Sequence, residues 1–175
     1  DIFESTIKDV LAVDLDNDGI NELLVSTNRE ISSWKKDGDL FVKNVTNSDV
    51  GCLHIEAGKL IDEKLNIVCT YQKPNSTSKS IIAILNSQLA EQSSIEFDGF
   101  ISDLLIEETS TDRKNLIIAS QTKFANGSFE RPPLTLHQID PFTGNVIWSS
   151  PHLLGRMRPH NLYYAPDKNG YKRLT

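Results

Sequence analysis

An all-β fold, built from β-propeller blades of four antiparallel strands, is predicted by three features of the sequence. Apolar residues do not recur at the three- and four-residue spacing of a helix; they gather in short runs rich in Val, Ile, Leu and Phe. Turn residues separate the runs. A fixed order of strand, polar loop, apolar strand, strand, turn, strand then returns along the chain, its second strands aligning on Leu23, Leu65, Leu116 and Leu174 at spacings of 42, 51 and 58 residues. A four-stranded unit of about 50 residues is the size of a propeller blade. A two-sheet sandwich would show similar strands without the fixed unit.

The strands follow in order. The first group reads as residues 8–14, 22–27, 30–36 and 39–44, with Asp37-Gly38 favouring the positive φ of a tight antiparallel turn. The second reads as 50–56, 64–71, 79–86 and 89–97, and the third as 100–106, 115–121, 133–140 and 145–149. Two strands, 161–165 and 171–175, begin a fourth. The blade-like units are therefore 8–44, 50–97, 100–149 and 161–175. The 175 residues amount to about three and a half blades, where closed rings take about four to eight. A partial propeller is expected, completed by further blades of a longer parent chain or by self-association over its uncovered blade faces.

The composition narrows the function. Lys and Arg number 18 against 24 Asp and Glu, a net charge of −6 with no basic cluster, which argues against nucleic acid and favours cations as ligands. No apolar run is long enough to span a bilayer, and the first residues lack the basic and apolar regions of a signal peptide. No serine-hydrolase, zinc-protease or phosphate-loop motif occurs, and His54, His137, His152 and His160 lack metal-ligand spacing, so no catalytic residue is identified. The segment Gly155-Arg156-Met-Arg158-Pro-His160 reads as a connection between blades held by its arginines.

The sharpest chemistry lies between the first two strands, at Asp14-Leu-Asp16-Asn-Asp18-Gly19-Ile20-Asn-Glu22. Alternation puts the carboxylates of Asp14, Asp16 and Asp18 on one side of a tight loop, Gly19 lets the chain turn, and Glu22 closes the ring. With the Ile20 carbonyl this is a hard, all-oxygen donor set, suited to Ca²⁺ better than to the smaller, strictly octahedral Mg²⁺. Four carboxylates in nine residues repel one another unless a cation balances them, so the loop is expected to order around calcium. An EF-hand does not fit, because the twelfth position from Asp14 is Val25 and the flanks are strands.

The stretch 13–26, VDLDNDGINELLVS, resembles the calcium loop of FG-GAP (VCBS-type) repeats, which build the β-propeller of integrin α subunits. The resemblance implies calcium ligands at Asp14, Asp16, Asp18, the Ile20 carbonyl and Glu22, with Glu where integrins usually carry Asp. Other loops depart from the pattern. Ala165 and Arg173 replace the first and ninth acids around Asp167, Asn169 and Gly170; residues 56–60 have lost the acids, and residues 107–113 the glycine. One good site is expected. Asp140-Pro-Phe-Thr143-Gly144-Asn-Val-Ile-Trp148 resembles the turn of quinoprotein-type propeller repeats, which implies a structural hairpin with Trp148 packed between blades and no quinone.

Cys52 and Cys69 fall on neighbouring strands of the second unit, where a cross-strand disulfide and two buried thiols both fit. Asn44, Asn75 and Asn126 head glycosylation sequons that would be used in a secreted eukaryotic protein. The expected function is a calcium-binding propeller module for protein interaction or cell-surface adhesion, located outside the cell, at its surface or in a periplasm. The alternative is a carbohydrate-binding or polysaccharide-processing propeller domain.

Overall fold

The structure, a computed structural model, describes residues 6–61, 64–76, 78–108, 114–121, 134–151, 164–166 and 172–174. The chain divides into two compact units, residues 1–98 and 99–175. In the first, β1 (Ile7–Val13), β2 (Glu22–Thr27), β3 (Ile31–Asp37) and β4 (Leu40–Asn47) form one sheet in that order. A second sheet follows in the same order from β5 (His54–Ile61), β6 (Lys64–Gln72), β7 (Lys79–Leu85) and β8 (Glu91–Asp98). The second unit contains β9 (Phe100–Glu108), β10 (Lys114–Gln121), β11 (Leu134–Ile139) and β12 (Val146–Ser149), paired in sequence order, and a short β13 (Tyr164–Pro166)–β14 (Lys172–Leu174) ladder. Every pairing is antiparallel. The chain is all-β, and its four-stranded meanders are the blades of a β-propeller. No helix among the described residues is long and apolar enough to cross a membrane.

Strand limits depart from the sequence reading where pairing overrides turn preference. The turn expected at Asp37-Gly38 falls one residue later, because β3 runs on to Asp37 opposite Leu40 and Gly38 takes φ 60°. Residues 56–60, expected as a loop, lie within β5: Gly58 pairs with Asn66, and the Asn66 Oδ1 accepts the Leu60 N–H at 3.2 Å. Burying Leu60 to 6% exposure there outweighs the loss of order that glycine imposes on a strand. The Asp167, Asn169 and Gly170 loop, residues 155–160 and Asn126 lie outside the described residues. Arg173 pairs with Ala165 in the β13–β14 ladder.

In the first unit the two sheets share one core. Leu24 and Ile31 of the first meet Ile67, Ala83, Leu85 and Leu89 of the second, all fully buried. Each large aliphatic side chain so buried stabilises the fold by about 1.5–3 kcal/mol. Polar links fix the contact: the Ile55 N–H donates to Asp9 Oδ2 at 2.9 Å, and the Asn47 amide donates to the Leu89 carbonyl at 2.8 Å. At the chain's passage between the sheets, Gly51 lies against the Asn28–Arg29 turn, where an added Cβ would stand 2.3 Å from the Asn28 carbonyl carbon.

Cys52 and Cys69 are bonded, with Cα atoms 5.6 Å apart and both side chains fully buried. Cys52 precedes β5 instead of lying within a strand, and the neighbouring Leu53 N–H donates to the Thr70 carbonyl at 2.7 Å. Closing a loop of this length stabilises a fold by about 3 kcal/mol through the unfolded chain's lost entropy.

In the third sheet the predicted hairpin forms at Asp140. Its Oδ1 accepts the N–H groups of Phe142 and Thr143, its carbonyl accepts that of Gly144, and Gly144 takes φ 71°. Trp148, expected to pack between blades, is instead half exposed on β12. Across the same sheet the His137 ring joins three strands, Nε2 to Ser120 Oγ at 2.9 Å and Nδ1 to Ser149 Oγ at 2.8 Å.

Two outcomes follow. Gly51→Ala pushes a methyl into backbone that a side-chain shift cannot relieve, and is expected to cost about 1–3 kcal/mol in chemical denaturation. Burial holds the His137 pKa below its ordinary 6.5, so the unfolded chain takes up the proton first on acidification. The His137 contribution is complete above pH 6.5 and declines as the pH falls from there through the folded pKa. Thermal melts across that range are expected to show the decline, and His137→Asn to flatten it.

Candidate metal centre

The loop between β1 and β2 is shaped by its own side chains. Asn17 and Gly19 take φ of 59° and 86°, which turns the chain back over Asp14. Asp14 Oδ1 accepts the Asp18 N–H at 3.0 Å and its Oδ2 accepts that of Gly19 at 2.9 Å. Asp18 Oδ1 accepts the Ile20 N–H at 2.8 Å. Asp14, Asp16 and Asp18 each bring a carboxylate oxygen within 4.8 Å of the others, so this triad can hold a metal ion. Ile20 enters the web through its amide, with its side chain exposed.

Glu22, the fourth predicted carboxylate, is not grouped with the triad and is buried at the start of β2. At 1% exposure its Oε2 accepts the Leu15 N–H at 2.8 Å, closing the base of the loop, while its Oε1 has no hydrogen-bond partner. An orphaned carboxylate oxygen in a buried position is costly unless a cation stands near it. Each oxygen already engaged by a backbone N–H keeps a second lone pair, so the donor set fits a hard cation.

One residue of this centre is absent from the sequence reading. The Lys35 Nζ, from β3, lies 2.7 Å from Asp16 Oδ2, 2.6 Å from Asp18 Oδ2 and 3.6 Å from Glu22 Oε1. Hydrogen bonding to Asp16 and then Asp18 raises the Lys35 pKa, and the Lys35 hydrogen bond, followed by the Ile20 amide, lowers that of Asp18. The signal that would have found it is long-range: the β2–β3 ladder ends with Leu23 opposite Trp34, and Glu22 and Lys35 are the residues adjoining that last pair.

No protein-family model and no curated protein matches this sequence. Among solved structures, the chain is similar to that of BBS1N in its complex with ARL6DN, soaked with lead. The identity is 13% and the TM-score 0.36, over 98% of this chain and 76% of that one. The fold assignment rests on the sheets themselves.

Beside the loop, a cleft of about 730 Å³ separates Asp14, Asp16 and Asn17 from Asn66, Asn86 and Gln92 of the second sheet. The loop is therefore open to solvent on one side and anchored by Glu22 on the other. Glu22→Ala is expected to lower stability by about 1–3 kcal/mol, because it strands the buried Leu15 N–H, whereas Glu22→Gln keeps an acceptor oxygen and avoids most of that loss. Urea unfolding of the two variants checks this.

Proposed function

We propose that this chain is a calcium-binding β-propeller module of the FG-GAP type, in which the ion is structural and the blades serve protein interaction or adhesion. The observation that carries the reading is the Asp14, Asp16 and Asp18 triad, whose carboxylate oxygens lie within 4.8 Å of one another in a loop whose base is closed by the buried Glu22. Those carboxylates, with the Ile20 carbonyl, would hold the ion. All-oxygen sets of this kind suit calcium, and extracellular modules bind it at about 10⁻⁴ to 10⁻³ M. Bound there, the ion supplies charge balance and ties the start of β2 to the end of β1.

Two further observations support the reading. The Cys52–Cys69 bond fits an oxidising compartment outside the cytosol, where calcium is also plentiful. Leu40, Phe41 and Val42 stand exposed on the edge strand β4, and Ile147 and Trp148 on the edge strand β12. Exposed apolar side chains on sheet edges suit protein partners. The module acts by binding and is not itself an enzyme.

Calorimetry and thermal melts test the ion. Calcium is expected to bind with a dissociation constant of about 10⁻⁴ to 10⁻³ M and to raise the melting temperature. The double variant Asp16→Ala, Asp18→Ala should abolish both effects; a calcium response that survives it would sink the assignment.

A further inference from the structure

Lys35 sets its ammonium against two of the three carboxylates of the triad. Its ammonium nitrogen is 2.7 Å from Asp16 Oδ2 and 2.6 Å from Asp18 Oδ2, and 3.6 Å from the otherwise unpartnered Glu22 Oε1. A calcium ion needs oxygens at about 2.3–2.6 Å. Nitrogen and ion would thus claim nearly the same point, and a +1 and a +2 charge cannot share it. The lysine does not belong to the loop. It reaches in from β3, on a flexible four-carbon stem that is about a third exposed, at 35%. Solvent therefore lies open to it as an exit.

We infer that Lys35 is a built-in competitor for the metal centre: its ammonium and a divalent ion occupy the carboxylate cluster in turn, so ion binding requires the lysine to swing out. The inference rests on the reading of the loop as a cation site. It assigns a regulating residue that the loop motif does not contain. The chain carries one positive charge for this place, which offsets part of the repulsion among Asp14, Asp16, Asp18 and Glu22. The loop is then held in two alternative ways, and the lysine sets the concentration at which one replaces the other. Weak binding follows from the competition, since the ion must outbid two short charge-assisted hydrogen bonds.

The test compares the wild-type chain with Lys35→Met, which keeps the stem and removes the charge, and with Lys35→Gln. Far-UV circular dichroism confirms folding, calorimetry with calcium chloride gives the affinity, and melts are run in chelator and in calcium. Removing a unit charge a few ångströms from a divalent ion near the surface is expected to tighten binding about tenfold. The neutral variants should also melt lower in chelator and gain more from calcium than the wild type does. Calcium binding by the neutral variants alone would support the inference in its strongest form, with the lysine fully replacing the ion. If the wild type binds calcium and both neutral variants bind it equally or more weakly, the competition is overturned and the metal centre stands. If none of the three binds calcium, the metal centre falls and the competition with it. Should Lys35→Met fail to fold, Lys35→Gln decides the question alone.

Discussion

A carboxylate out of reach of water has to be balanced by something in the chain or something the chain binds, and Glu22 imposes that requirement on the first sheet. One of its oxygens is answered locally by the Leu15 N–H. The other lies 3.6 Å from the Lys35 ammonium, which reaches across from β3 to Asp16 and Asp18 as well, while Asp14 and Asp18 accept backbone N–H groups of the loop. The β1–β2 connection is therefore a charged structure with a defined interior. Its geometry comes from side-chain acceptors satisfying backbone donors, which is why an eight-residue excursion holds a shape without a regular ladder.

The same reliance on individual polar contacts runs through the first unit. The core shared by its two sheets is aliphatic and non-directional, and by itself would tolerate sliding of one sheet over the other. Asp9, Asn47 and the close fit of Gly51 against Asn28 remove that freedom. Hydrophobic burial drives the contact, and a few hydrogen bonds and one missing side chain choose its register.

Much of this was legible in the sequence. Strands could be read because β-rich apolar runs and turn residues are local signals, and the grouping of Asp14, Asp16 and Asp18 because these carboxylates alternate within five residues. What escaped was whatever depended on pairing between distant residues. Lys35 belongs to the site only because β2 and β3 pair, bringing it beside the end of their ladder at Leu23 and Trp34, and no local pattern marks it. Residues 56–60 read as a loop because Gly58 and the polar flanks suggest one, yet cross-strand pairing with Asn66 drew them into β5. Trp148 matched a packing motif, but a four-residue edge strand leaves it half exposed. The cysteines were correctly seen as neighbours; their bonding follows from Cys52 lying at the approach to β5, with Leu53 hydrogen-bonded to Thr70.

That bond has a mechanical meaning. It joins the segment entering the second sheet directly to β6, bypassing β5 and the hairpin after it. When the chain is pulled from its two ends, tension crosses from Cys52 to Cys69 through sulfur, and the residues between them carry none of the load. The stretch from Leu53 to Val68 cannot be drawn out while the bond is intact. The second sheet can thus lose β7 and β8 to an applied force and still keep β5 and the first part of β6 within one covalent ring.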